Sequence, residues 1–311
     1  MPDLILHHYP ASPFAEKIRL VLGYKKLAWK SVIIPSIMPK PDVVALTGGY
    51  RRTPVLQIGA DIYCDTALIC DVLEQRQPSP ALYPQDGNGG NRIVAQWADS
   101  TLFATAMVYC FSAEGAAFFF QGQAPETVKA FGEDRAKMRG GAGRMRPGDA
   151  TSAYRSYLRR IASMVDAQAY VTGQQPTLAD FSCYHPLWFT RRMPPLAGIL
   201  DATPSLATWM DRMAAIGHGS MEKADSSAAI ATAAESTPAG VEHSVFQNDH
   251  GIALGSRVII VAESFGLEPT EGELIAATRT RYSLRRTDVR AGTVHVHFPR
   301  IGFQLKLANP A

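Results

Sequence analysis

Three short stretches carry side chains whose types and spacing could act on a ligand. In ASPFAEKIRLVL, residues 11–22, Ser12 stands directly before Pro13 and an apolar-periodic run. A hydroxyl there either caps the helix that follows or is aimed at a ligand. In RRTPVLQI, residues 51–58, Thr53 and Pro54 lead straight into an apolar strand. In CDTALICDVLE, residues 64–74, Asp65 and Thr66 head a second amphipathic run, as a cap pair or as a ligand pair. Ser12 lacks a G-x-S-x-G frame, so the strained elbow of a hydrolase nucleophile is not expected.

Other candidates are weaker. His295 and His297 sit two apart and share one strand face, but two ligands do not make a metal site. Cys64, Cys70, Cys110 and Cys183 form no C-x-x-C and match no zinc spacing; they read as reduced, buried thiols. Arg279, Arg281, Arg285, Arg286 and Arg290 cluster, yet residues 240–311 hold eight basic and seven acidic side chains. That balance describes a solvated strand face rather than a nucleic-acid surface. Tyr109, Phe111, Phe118–Phe120 and Trp188 are aromatic residues of either a core or an apolar pocket.

The elements that must position these residues follow from periodicity. Leu4–Leu6 reads as a strand, and Ser12–Pro13 open a helix with Phe14, Ile18, Val21 and Leu22 on one face and Gly23 placed to end it. Trp29–Ile34 is a second strand. Residues 54–58 and 61–64 flank Gly59-Ala60 as a hairpin, and Asp65–Thr66 start the next helix. The order is β-α-β, a loop with a short helix, then β-β-α. Pro78-Ser-Pro80 and residues 87–91 form a linker. Residues 92–217 are helical, broken by a glycine-rich loop at 140–148, and Thr177–Asp180 has the form of a capping box. Residues 219–236 read as helix. After Pro238, strands are expected near 257–262, 272–277, 282–286 and 293–298.

The chain has 311 residues, 46% of them hydrophobic, and a formal net charge of +3. Two domains, or three small ones, fit that length, and the apolar fraction is enough to bury a real core. The charge balance does not advertise nucleic acid. No apolar run reaches the ~18 residues that span a bilayer, and the N-terminus has no secretory pattern. A cytoplasmic protein without membrane or nucleic-acid partners is expected.

Taken in order, SPFAEKIRLVL, RRTPVLQI and CDTALICDVLE resemble the signature segments of the glutathione S-transferase family. PTLADFS and PSLATWMDRM are similar to that family's later helices, so the resemblance covers about residues 1–215. It implies an α/β thioredoxin-like domain at 1–78 and an all-α domain at 90–217. The remainder, 218–311, is a helical linker and small mainly-β extension outside the family pattern. Glutathione would be the co-substrate, no metal or organic cofactor is implied, and a homodimer is usual.

The resemblance also assigns roles. Ser12 matches the thiol-activating hydroxyl of the serine-type classes, with Tyr9 as a rival. Thr53, held by a cis Pro54, would pair its backbone with the cysteinyl unit. Asp65 and Thr66 match the pair that binds the γ-glutamyl end, where Glu-Ser is commoner. Lys40, or alternatively Arg52, would pair with the glycyl carboxylate. Tyr109 and Phe111 would line the site of a small electrophilic, apolar substrate.

The chemistry is within reach of those residue types. A free thiol has a pKa of ~8.5, and lowering it by two units takes about 2.7 kcal/mol. A hydroxyl donating to the thiolate supplies roughly 1.5–3 kcal/mol and a helix N-terminus roughly 0.3–1 kcal/mol. Two other readings remain: a glutathione-dependent thiol oxidoreductase, and a non-catalytic binding or assembly module.

Overall fold

The computed structural model describes residues 2–84, 88–141, 143, 145–241 and 245–308. Gly87 of the expected linker, and Ala142 and Arg144 of the expected glycine-rich loop, lie outside these. The chain opens β1 (Ile5–His8), α1 (Pro13–Tyr24), β2 (Ala28–Ile33), α2 (Pro41–Thr47), β3 (Val55–Ile58), β4 (Asp61–Cys64) and α3 (Thr66–Arg76). β1 runs parallel to β2 and antiparallel to β3, and β3 is antiparallel to β4. This is the expected thioredoxin-like arrangement.

α1 forms because Pro13 stands at a tolerated first position and Ile18, Val21 and Leu22 present one face, all fully buried. Each such side chain contributes about 2 kcal/mol by leaving water. Gly23 does not end the helix, which continues to Tyr24. A Cβ at Gly23 would collide with the Gly217 carbonyl, so the glycine serves a close backbone approach instead.

The helical region holds α4 (Asn88–Trp97), a π-helical segment at Ala98–Leu102, α5 (Phe103–Cys110), α6 (Ala113–Phe119) and α7 (Pro125–Arg139). It continues through α8 (Pro147–Asp166), α9 (Leu178–Arg191), α10 (Pro194–Ala197) and α11 (Pro204–Ala214). The glycine-rich stretch expected as linker is helical from Asn88, because Asn91 is drawn into the core, where its side-chain oxygen accepts from the Thr177 hydroxyl. The Thr177–Asp180 capping box is present, and the Asp180 carboxylate also accepts from Val171 N–H at 2.7 Å and Trp209 Nε1 at 3.0 Å. Among the described residues no single helix is long and apolar enough to cross a membrane, although the bent pair 89–110 and 113–119 meets that measure jointly.

The last ninety residues do not stand apart. β5 (Ser220–Ala224) pairs parallel with β2, where a helix was expected, and α12 (Ser226–Glu235) follows. β6 (Arg257–Ala262), β7 (Thr270–Ala277), β8 (Arg281–Asp288) and β9 (Gly292–Pro299) match the expected strands, and β10 (Phe303–Leu307) is an additional one. β9 pairs parallel with β4, which gives one ten-stranded sheet in the order β10-β6-β7-β8-β9-β4-β3-β1-β2-β5. Both edges of the first four strands are thereby covered by later chain. Ile5, Val55 and Ile62 share one hydrophobic core with Val258, Leu284, Val296 and Phe298.

Candidate functional site

Sheet register brings the three stretches to one place. His7 lies opposite Val55, and Val55 opposite Cys64. The chain leaving β1, the chain entering β3 and the chain leaving β4 therefore meet at one end of the sheet. Ser12, Thr53–Pro54 and Asp65–Thr66 all belong to those segments.

Ser12 is a helix cap. Its Oγ accepts from Ala15 N–H at 3.2 Å, and the residue is only 2% exposed. The hydroxyl hydrogen is not used by that bond, but a ligand sulfur reaches it only when its surroundings give way. Tyr9, on the same loop, is half-buried, and its hydroxyl accepts from Arg135 at 3.5 Å.

The Thr53–Pro54 peptide is cis. The Thr53 hydroxyl accepts from Lys40 Nζ at 3.1 Å, and the same ammonium donates to the Arg51 carbonyl at 3.2 Å. Lys40 is 4% exposed, with no carboxylate within 4.0 Å of its nitrogen among the described residues. Burial, with the nearby Arg135 and Arg51 charges, pulls its pKa down to about 8 against the opposing pull of Asp134. A buried cation without a direct counter-ion is a place where an anion is stabilised.

Asp65 adopts φ 75°, in the left-handed region, which is a strained conformation for a residue with a Cβ. One carboxylate oxygen caps α3 by accepting from Ala67 N–H at 2.9 Å; the other lies 3.8 Å from Arg52. Burial raises its pKa. Thr66 is buried, and its Oγ1 accepts from Lys17 Nζ at 3.2 Å. Arg52, the alternative partner for a glycyl carboxylate, already donates to the Phe265 carbonyl of the β6–β7 loop.

Tyr109 and Phe111 are not brought to this cluster by any contact among the described residues. The Tyr109 hydroxyl donates to the Leu196 carbonyl at 3.0 Å, and its ring packs on Tyr154. Phe111 packs among Phe119, Phe120, Phe131 and Phe189. Both residues are half-buried and pack against clusters of the helical domain.

Two groups at the site escaped sequence reasoning. The first is Lys17, fully buried, with Asp99 at 2.6 Å and His185 in turn 3.0 Å from Asp99. Burial works against the Lys17 charge, but Asp99 together with Cys70 and Asp65 more than offsets it, and the pKa is raised. A signal existed: Lys17 falls three residues after Phe14 and four before Val21, in phase with the buried face. The second is Arg51, 3% exposed on its side chain, between Asp134 of α7 and Glu268 of the β6–β7 loop. Separations of 83 and 217 residues left no local trace. A Cβ at Gly49 would collide with the Pro269 carbonyl, so that loop lies directly on the chain between α2 and β3.

All four cysteines are free and buried. Burial raises the Cys64 thiol well above its ordinary value and pushes Cys70 and Cys110 up to about 12. Among the described residues no cluster of three metal-ligating side chains forms.

A thioredoxin-like sheet, a cis proline before β3 and a helical domain with a buried capping box define the transferase class of fold. The family models for the glutathione S-transferase N-terminal and C-terminal domains match residues 6–81 and 130–212, and the chain belongs to the glutathione S-transferase family. It is similar to a GST-like protein from Pseudomonas syringae, with 43% identity and a TM-score of 0.83 over 99% of this chain and 100% of that one. The likeness therefore runs along the full length, residues 218–311 included. A pyrimidodiazepine synthase of Drosophila melanogaster is 30% identical over 96 residues, 28% of this chain but only 39% of the fly protein's length. FtsZ-localized protein A of Caulobacter vibrioides is 23% identical over 183 residues, 57% of this chain and 72% of that protein.

Proposed function

We propose that the protein binds glutathione at the sheet end and uses its thiolate to attack a small electrophilic, apolar molecule. The observation that carries this reading is the convergence of Ser12, the cis Thr53–Pro54 peptide and the strained Asp65–Thr66 pair at one sheet end. In this reading Thr53 pairs with the cysteinyl backbone, Asp65 and Thr66 take the γ-glutamyl end, and Lys40 takes the glycyl carboxylate. The Ser12 hydroxyl, freed by a shift of the groups around it, donates to the sulfur. No general base is required, since the hydroxyl stabilises an anion and does not itself become one. The protein would work in the cytoplasm, as a homodimer, and without a metal. With all four thiols buried, a mixed disulfide on the protein has no exposed sulfur to form it.

The test is the ultraviolet thiolate absorbance of bound glutathione against pH. Ser12→Ala should raise the bound-thiol pKa by about 1–2 units, the loss of one charge-assisted hydrogen bond. A shift in Tyr9→Phe with none in Ser12→Ala would move the role to Tyr9. An unchanged curve in both would remove thiolate stabilisation by either hydroxyl.

One observation favours a second reading, a binding or assembly role without catalysis: Ser12 is sealed. A relative named for localisation to FtsZ is in keeping with it. Calorimetry with glutathione separates the two readings, because an assembly module shows no heat at millimolar ligand.

A further inference from the structure

We infer that Lys17 is a positioning residue for the Thr66 hydroxyl, held in place across the domain boundary by Asp99 and His185. The inference rests on the glutathione reading above, in which Thr66 belongs to the pair that takes the γ-glutamyl end, and adds what holds that hydroxyl in place.

The argument starts from valence. A lysine ammonium only donates. Lys17 Nζ lies 3.2 Å from Thr66 Oγ1, so the threonine oxygen must accept. Its own hydrogen is then left to point elsewhere, and an anion at the head of α3 is the group that takes it. Were Thr66 to donate to a backbone carbonyl, as helix threonines often do, that hydrogen would be spent. The buried cation also places positive charge directly behind the hydroxyl. Lys17 and Thr66 are 0% and 6% exposed, so water screens this field poorly.

Lys17 comes from α1, but what orients it comes from the helical domain. Asp99 Oδ2 accepts from Nζ at 2.6 Å, and Asp99 Oδ1 pairs with His185 Nε2 at 3.0 Å. Asp99 sits in the π-helical segment at 98–102, a backbone irregularity that α-helices tend to keep at functional positions. Its side chain is 20% exposed, while Lys17 and His185 are sealed behind it. The chain Thr66–Lys17–Asp99–His185 therefore ties one ligand-facing hydroxyl to α9.

The experiment compares two ligands by calorimetry: glutathione, and γ-aminobutyryl-cysteinylglycine, which lacks only the α-carboxylate. The wild-type protein should prefer glutathione by about tenfold or more, the worth of one hydrogen bond to a charged group. Lys17→Met should bring the two affinities to within about twofold, chiefly by weakening glutathione, while Lys17→Arg keeps most of the preference. Asp99→Asn leaves the lysine in place but loosens it, and should give an intermediate preference. Equal weakening of both ligands in Lys17→Met would make Lys17 merely structural and overturn the inference. If Lys17→Met does not fold, an unchanged preference in Asp99→Asn overturns it instead. A wild-type protein that binds neither ligand at millimolar concentration removes the proposed function, and this inference with it. A wild-type protein that binds both equally leaves glutathione binding standing and sinks the inference alone.

Discussion

β4 carries an aspartate at its start and another just past its end, and the two live in opposite circumstances. Asp61 accepts from His297 Nε2 at 2.9 Å and from Ala239 N–H at 2.8 Å, and His297 Nδ1 accepts from the Ser283 hydroxyl at 2.8 Å. By residue type this is a serine, a histidine and a carboxylate in line. Yet the three are 0%, 2% and 5% exposed, and the bonds run across β8, β9 and β4, inside the sheet where β9 joins β4. Tyr63 stacks on the imidazole at 4.6 Å and closes it further. Asp65, four residues on, is strained, keeps a quarter of its side chain exposed and holds one oxygen only 3.8 Å from Arg52. The polar residues at the seam join two parts of the sheet. Those at the site keep unspent valence: among the described residues a buried lysine, Lys40, has no direct counter-ion and Thr66 accepts from Lys17 with no acceptor for its own hydrogen.

The largest effect that separates them is on stability. Asp61→Leu leaves the His297 and Ala239 N–H groups buried without acceptors, and should cost about 3 kcal/mol in urea unfolding while glutathione affinity stays near wild type. A comparable loss of glutathione affinity in the folded variant would mean that the seam and the site act as one unit. Next in size is the anion preference of Lys40. Because its pKa lies at about 8, affinity for S-methylglutathione, which has no thiol to titrate, should fall as pH rises through that value. Lys40→Met should be about tenfold weaker at pH 7 and show no such fall, as expected for loss of one charge-assisted contact. A pH-independent wild-type affinity would take the ligand carboxylate away from Lys40.

The smallest effect is again at the seam. Burial lowers the His297 pKa below its ordinary 6.5, against the opposing pull of Asp61. The unfolded chain then binds a proton that the folded one resists, so this residue's contribution is present above pH 6.5 and is lost as pH falls below it. His8, which burial and Arg19 bring down to about 3, adds to the same slope. His297→Asn should flatten the loss of unfolding free energy as pH falls below 6.5, and unfolding curves at several pH values would show it. An unaltered slope would assign the acid sensitivity elsewhere.

Much of the fold was legible because its signals are local. The caps at Ser12, Asp65 and Thr177 and the residues beside Pro54 stand within a few positions of the elements they start. β6 to β9 could be read from alternation and turn residues. β5 was missed because SMEKA has no apolar alternation; it is a strand because β2 offers it an edge. β10 lies in an equally short segment paired to β6. Tyr109 and Phe111 show the converse limit. Their aromatic character was plain, but whether they line a pocket or a core depends on partners such as Leu196 and Phe189 from α10 and α9.

The sequence by itself determined the class of most elements, the family and the three stretches that meet at one sheet end, because helix caps, turn residues and side-chain periodicity act over a few bonds. Only the tertiary structure decided that Ser12 is sealed, that Lys17 stands behind Thr66, that Arg51 links three parts of the chain and that the last strands extend the first sheet. Those outcomes depend on burial and on pairing between residues tens to hundreds of positions apart, where the free energy lies in excluding water and filling valences, and no short stretch of chain carries that information.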